Sequence, residues 1–134
     1  MEKEILKTGK PSIDKPWLKW YSDEALGVEV ADMKFYDYMK SRNLDNLNGT
    51  ALNYFNRKIT YEEMIKEIEK TAAAFVILGV KPGEIVTFCT PTLPETIYAI
   101  YALNKIGAVA ALIDPTTNAE RIENFIKLFD SKHL

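Results

Sequence analysis

The sequence predicts an α/β chain: a partial parallel β-α-β-α sheet preceded by a β-hairpin and an irregular N-terminal arm. Three observations carry that reading. Ile85-Val86-Thr87-Phe88-Cys89 and Ala108-Val109-Ala110-Ala111-Leu112-Ile113 are short, apolar, β-rich runs. Between them, Leu93 to Ile106 is nearly all apolar and stops at Gly107, so a helical crossover joins the two strands, as parallel pairing requires. Beyond Asp114-Pro115 a further helix is expected over about Ala119 to Phe129, with Ile122, Phe125, Ile126 and Phe129 as its apolar stripe.

The first thirty residues carry Pro11, Pro16 and Gly27 and no periodic pattern, which predicts an arm. Pro16-Trp17-Leu18-Lys19-Trp20-Tyr21 gathers both tryptophans and a tyrosine. Large aromatics are mainly core material, so the arm is expected to pack on its own body; the alternative is an exposed docking patch. Asp32 stands where an N-cap would start a helix over Met33 to Arg42, with Phe35, Tyr36 and Met39 on one side. Next, Ala51-Leu52-Asn53-Tyr54-Phe55 and Lys58-Ile59-Thr60 read as a hairpin, with Asn56-Arg57 in its two-residue turn. Thr60 and Glu63 then form a capping box for a helix whose apolar face is Tyr61, Met64, Ile65, Ile68, Ala72, Phe75 and Val76. Gly79 closes that helix as a left-handed cap, and Lys81-Pro82-Gly83-Glu84 turns into the first parallel strand. Thr92 and Glu95 repeat the capping-box spacing ahead of the crossover helix. Asp130-Ser131-Lys132 resembles the turn into another strand. A boundary near residue 50 is expected, with 1–50 as arm and short helix and 51–134 as the start of a larger domain.

With 134 residues, 47% hydrophobic and 27% charged, the chain has the composition of a globular domain. A net charge of −2, with 17 Lys and Arg against 19 Asp and Glu, gives no basic face, so no nucleic-acid partner is expected. The single cysteine, Cys89, lies in an apolar strand and fits a reducing compartment, and no apolar run is long enough to cross a bilayer; a cytoplasmic location is expected. There is no G-x-x-x-x-G-K-[ST], G-x-G-x-x-G or H-E-x-x-H. His133 is the only histidine and is one residue from the terminus, so a histidine-based nucleophilic engine is not expected, and no ligand cluster suggests a metal. One place stands above this background. The loop Asp114-Pro115-Thr116-Thr117-Asn118 follows the second parallel strand and leads into a helix, where ligands prefer to bind and where N–H groups are free for an anion. The simpler reading is that Thr117 or Asn118 caps the helix and Asp114-Pro115 turns the chain.

Several segments together resemble the adenylate-forming (AMP-binding) superfamily. They are Ala51-Leu52-Asn53-Tyr54, Arg57-Lys58-Ile59-Thr60-Tyr61-Glu62-Glu63-Met64, and Leu78-Gly79-Val80-Lys81-Pro82-Gly83-Glu84-Ile85-Val86. Pro91-Thr92-Leu93-Pro94-Glu95, Lys105-Ile106-Gly107-Ala108-Val109, Asp114-Pro115 and Ala119-Glu120-Arg121-Ile122 follow in the same order. The match runs over about Ala51 to Ser131, and the tryptophan segment resembles the arm of some acyl-CoA synthetases. The resemblance implies the N-terminal portion of an enzyme that activates a carboxylic acid with Mg-ATP to an acyl-adenylate and passes the acyl group to CoA. The family's phosphate loop, metal-binding acids and catalytic lysine lie beyond this chain, so no catalytic residue or metal ligand is assigned and no cofactor is expected for the chain alone. ATP, Mg and CoA are implied for the full-length family. The resemblance also places the loop holding Asp114, Pro115 and Thr116 toward the CoA channel. Two functions follow as expectations: a fragment of an acid–thiol ligase that is inactive by itself, or a stand-alone interaction module that self-associates through an unfinished sheet edge.

Overall fold

A computed structural model describes residues 8–29 and 31–134, which fall into two compact units divided between Asp32 and Met33. In the first unit the arm consists of short helical turns: α1 (Pro11–Asp14), a 3-10 turn (Pro16–Trp20) and α2 (Asp23–Leu26). The carboxylate of Asp14 fixes the entry by accepting from the Thr8 N–H (2.8 Å), the Thr8 hydroxyl (2.7 Å) and the Gly9 N–H (2.9 Å). Trp20 is 81% exposed, with the Lys19 ammonium 4.9 Å from its ring centre, because turns this short offer no face wide enough to enclose an indole.

The second unit opens with α3 (Phe35–Arg42). Asp32 is not its cap: Lys34 occupies the N-cap position and supplies no side-chain acceptor to the helix. The helix start is instead capped from a distance, by Asn104 Oδ1, which accepts from the Tyr36 N–H at 2.9 Å. The Lys34 ammonium donates to the Lys105 carbonyl at 2.7 Å, so two bonds fix this end of α3 on residues at the far end of the crossover helix. Tyr36, 1% exposed, donates its hydroxyl to Glu69 at 2.5 Å, and Glu69 also pairs with Lys40 and Lys105.

The hairpin pairs β1 (Thr50–Tyr54) with β2 (Arg57–Thr60) in antiparallel register, Leu52 opposite Ile59 and Tyr54 opposite Arg57. The turn is Phe55-Asn56, one residue earlier than the sequence suggested. Both residues have positive φ (47° and 67°), as a type I′ turn demands, and this register keeps Ile59 inside at 3% exposure. Phe55 is left 86% exposed in a conformation that suits asparagine better than phenylalanine. α4 (Tyr61–Ile77) begins at the expected capping box: Thr60 N–H donates to Glu63 at 2.8 Å and Glu63 N–H to Thr60 Oγ1 at 3.2 Å. Gly79 then turns the chain with φ 88°.

β3 (Ile85–Cys89) and β4 (Val109–Ile113) pair in parallel, residue for residue from Ile85 opposite Val109 to Cys89 opposite Ile113. α5 (Pro94–Ile106) is the crossover. The Thr92–Glu95 box does not form: Pro94 takes the first helical position with its φ preset and no N–H to satisfy, which moves the N-cap to Leu93. Thr96 serves instead, its Oγ1 lying 3.5 Å from the Leu93 N–H and donating to the Pro91 carbonyl at 3.0 Å. Glu95 is the one exposed residue of α5; Ala102 and Leu103 are fully buried. After α6 (Ala119–Leu128) the chain returns to the sheet. His133 bridges Val86 in parallel, and Thr87 N–H donates to the His133 carbonyl at 3.0 Å, so β3 has a neighbour on each side. Two buried clusters form the core of this unit. One joins Tyr36, Ile59, Met64, Ile68 and Ala102; the other joins Val80, Val86, Leu103 and Ala108.

Replacing Asn104 with alanine removes the remote cap of α3 and is expected to cost about 1 kcal/mol. Amide exchange in residues 35–38 should accelerate while the α4 amides stay as they were. Uniform acceleration, or none, would contradict the capping role.

Candidate functional site

Parallel pairing of β3 with β4 brings their carboxyl ends, Cys89 and Ile113, side by side. Two loops leave this edge: Thr90–Leu93 toward α5, and Asp114–Asn118 toward α6. The Cys89 thiol lies 3.7 Å from the Asp114 carbonyl and ties the loops together. Asp114, Pro115 and Thr116, the residues singled out in the sequence, are all exposed here. Asp114 and Thr116 are in direct contact: one carboxylate oxygen accepts from the Thr116 hydroxyl at 2.5 Å and from the Thr116 N–H at 2.7 Å. The Thr117 N–H closes the turn on the Asp114 carbonyl at 3.0 Å. Pro115 lies between them and needs no donor at that point.

Of the two candidate caps, Asn118 is the one used: its Oδ1 accepts from the Arg121 N–H at 3.0 Å and starts α6. The capping and turn chemistry expected of this loop is therefore present. A shallow cleft of about 230 Å³ adjoins it, with Leu112, Phe125 and Phe129 as apolar walls and Asp114, Thr117 and Arg121 as polar ones. The Phe125 and Phe129 rings stack 5.9 Å apart. Arg121 and Cys89 were not picked out at this edge from the sequence. Arg121 had a signal, being three residues past an Asn cap; Cys89 had none beyond its place at the end of a strand.

The site offers positioning and one cation rather than a reactive pair. Hydrogen bonds from the Thr116 hydroxyl and then the Thr116 N–H hold the Asp114 carboxyl below the usual carboxylate range, so it is an anion and not a proton donor near neutral pH. His133 is beside the amino-terminal half of β3, with its Nε2 3.7 Å from Glu84, and plays no part at the carboxyl edge. Among the described residues no three His, Cys, Asp or Glu side chains converge to hold a metal ion.

Residues 42–134 match the family model described as AMP-binding enzyme. An acetyl-coenzyme A synthetase of Streptomyces avermitilis is 31% identical over 119 residues, covering 87% of this chain and 18% of that protein. An acetyl-coenzyme A synthetase of Brucella canis is 33% identical over 103 residues, 72% of this chain and 15% of that protein. This chain thus spans less than a fifth of the curated relatives it matches. Among solved structures, the N-terminal subdomain of Klebsiella oxytoca NpsA, in complex with anthranilyl-AMSN, superposes with a TM-score of 0.65 at 27% identity, over 72% of this chain and 24% of that one. A benzoate CoA ligase of Burkholderia xenovorans gives a TM-score of 0.71 at 18% identity over 75% of this chain and 20% of that one, a likeness of fold.

Because the Asp114 carboxyl is depressed by bonds that exist only in the folded loop, its contribution to stability is complete above the ordinary aspartate range. It is lost as pH falls through the lower folded value. Thr116→Val removes the larger of the two causes, so the Asp114 midpoint followed by carboxyl-carbon NMR should rise toward that of a free aspartate. A midpoint that does not move would show that the hydroxyl contributes nothing.

Proposed function

This chain belongs to the AMP-binding enzyme family and corresponds to the N-terminal portion of that superfamily, and from this membership we propose that it begins an AMP-forming acid–thiol ligase. Such an enzyme joins a carboxylic acid to the α-phosphate of ATP, releasing pyrophosphate, and then passes the acyl group from AMP to the CoA thiol. The observation that carries the proposal is the likeness to acetyl-coenzyme A synthetases over 87% of the chain. The sheet agrees with it, because a parallel pair with a helical crossover presents its carboxyl edge to ligands. Residues 51–134 are then the first part of the catalytic domain, α3 belongs to the same compact unit, and the residues before it are the arm.

The described residues do not fit Mg-ATP. No three His, Cys, Asp or Glu side chains converge among them to hold a metal ion, and the sequence has no glycine-rich phosphate loop. We therefore assign no catalytic role within this chain, and propose that it is inactive in adenylation by itself. Charge developing on the transferred phosphate would meet no phosphate loop and no metal held by these residues. What the chain contributes is one wall: Asp114, Pro115 and Thr116 border the CoA channel, with the Asp114 carboxylate held against Thr116. A second reading, a self-associating module without catalysis, is favoured by the exposed Val109 (49%) and Leu112 (57%) on β4, which has one strand neighbour among the described residues.

The 134-residue chain should show no acid-dependent exchange of pyrophosphate into ATP above a protein-free blank; exchange above blank would overturn its proposed inactivity. Light scattering of the same sample separates the second reading, which requires a mass of twice 15.3 kDa or more. In the complete enzyme, Thr116→Glu is expected to raise the KM for CoA several-fold while leaving acid-dependent exchange unchanged. An unchanged KM would remove this loop from the CoA channel.

A further inference from the structure

A second cleft, of about 390 Å³, opens between β2, α4 and α5 and shares no residue with the carboxyl-edge cleft. Arg57 and Lys58 line it from β2, Glu63 and Glu67 from α4, and Glu95 and Tyr98 from α5. Two of the three carboxylates already have partners. Glu63 is held by the Thr60 N–H at 2.8 Å, and Glu67 by the Lys70 ammonium at 2.6 Å. Glu95 has no ion-pair partner among the described residues, and neither have Arg57 and Lys58. Opposite charges thus line one cleft without closing on each other.

Tyr98 is an independent observation. The residue as a whole is 8% exposed, but its hydroxyl is not a buried atom: it reaches the open cleft that the residue lines and makes no hydrogen bond to the described residues. Burial raises the phenol above its ordinary value, the carboxylates of Glu95, Glu67 and Glu63 raise it further, and Arg57 opposes them. The oxygen therefore lies in the field of both walls. Glu95 and Tyr98, three residues apart, stand on the same side of α5.

We propose that this cleft binds a small zwitterion, its ammonium between Glu95 and the Tyr98 hydroxyl and its carboxylate on Arg57, with Lys58 beside it. Each single charge alone is a poorer match. A simple cation would leave Arg57 and Lys58 unpaired and repelling it, and a simple anion would face three carboxylates. A ligand carrying both signs meets the unpaired charges of both cleft walls, and the planar guanidinium can take the carboxylate with two parallel bonds. The volume lies within the range of small-molecule sites, roughly 300–1,000 Å³. The inference is independent of the carboxyl-edge chemistry and stands or falls apart from it.

Titration of the isotope-labelled chain with glycine and with 4-aminobutyrate, which differ in charge separation, provides the test. At least one should produce saturable amide shifts confined to residues 57–59, 63–71 and 95–98. Methylamine and acetate should need at least ten times the concentration. Glu95→Gln, Arg57→Gln and Tyr98→Phe should each weaken the binding about tenfold, the scale of one hydrogen bond to a charged group. Glu95 is exposed, so its variant keeps the test valid even if the tyrosine change disturbs packing. Absence of saturable shifts, equal binding of methylamine or acetate, or indifference to Glu95→Gln would each overturn the proposal.

Discussion

An almost wholly apolar helix cannot rest on one surface. α5 carries Ile97, Tyr98, Ala99, Ile100, Tyr101, Ala102, Leu103 and Ile106, and the rest of the second unit is arranged to cover it. α4 and α3 pack on it, and its Leu103 joins Val80, Val86 and Ala108 beneath. Small residues make this possible. Ala99 and Ala102 let neighbouring elements approach closely, and Ala102 is completely buried. The remaining polar groups of α5 act at its ends. Asn104 and the Lys105 carbonyl bind the start of α3, and the Lys105 ammonium meets Glu69 of α4. One helix therefore decides where two others lie.

What the sequence disclosed, and what it hid, divides along the range of the interactions concerned. The Thr60–Glu63 box, the Gly79 and Gly107 turns and the apolar runs of β3 and β4 are local patterns, and all stand where expected. The start of α3 was misplaced because its cap is Asn104, on another helix, and no spacing rule connects the two. The hairpin turn was misplaced by one residue because asparagine was read as its first position. The buried register of Ile59 opposite Leu52 overrides that preference and puts a phenylalanine in the left-handed region. Pro94 displaced the third expected cap by occupying the position that a capping box leaves to any residue.

At the carboxyl edge, the residue types were legible and their mutual arrangement was not. Asp114 and Thr116 stand two apart in sequence, which suits either a ligand pair or a turn; the short bonds between them resolve this as an Asx-type turn with a restrained carboxylate. The open cleft beside β2 was hidden for a different reason. Arg57, Glu63, Glu95 and Tyr98 come from three elements, and the periodicity of each assigns its charged residues to a solvated face. Only the folded arrangement shows that those faces look at one another.

The bridge from Val86 to His133 makes β3 an interior strand, and this bears on how the molecule can be made. Neither neighbour of β3 is close to it along the chain: β4 follows only after the whole crossover, and the His133 segment lies beyond α6. During synthesis, β3 leaves the ribosome well before either edge has a partner, and loop-closure entropy must be spent before any ladder bond forms. The hairpin and α4 close between near neighbours and carry little of that cost. Phe75 of α4 and Val80 just after it pack in one cluster with Val86 of β3, an apolar surface that precedes the strand's partners along the chain.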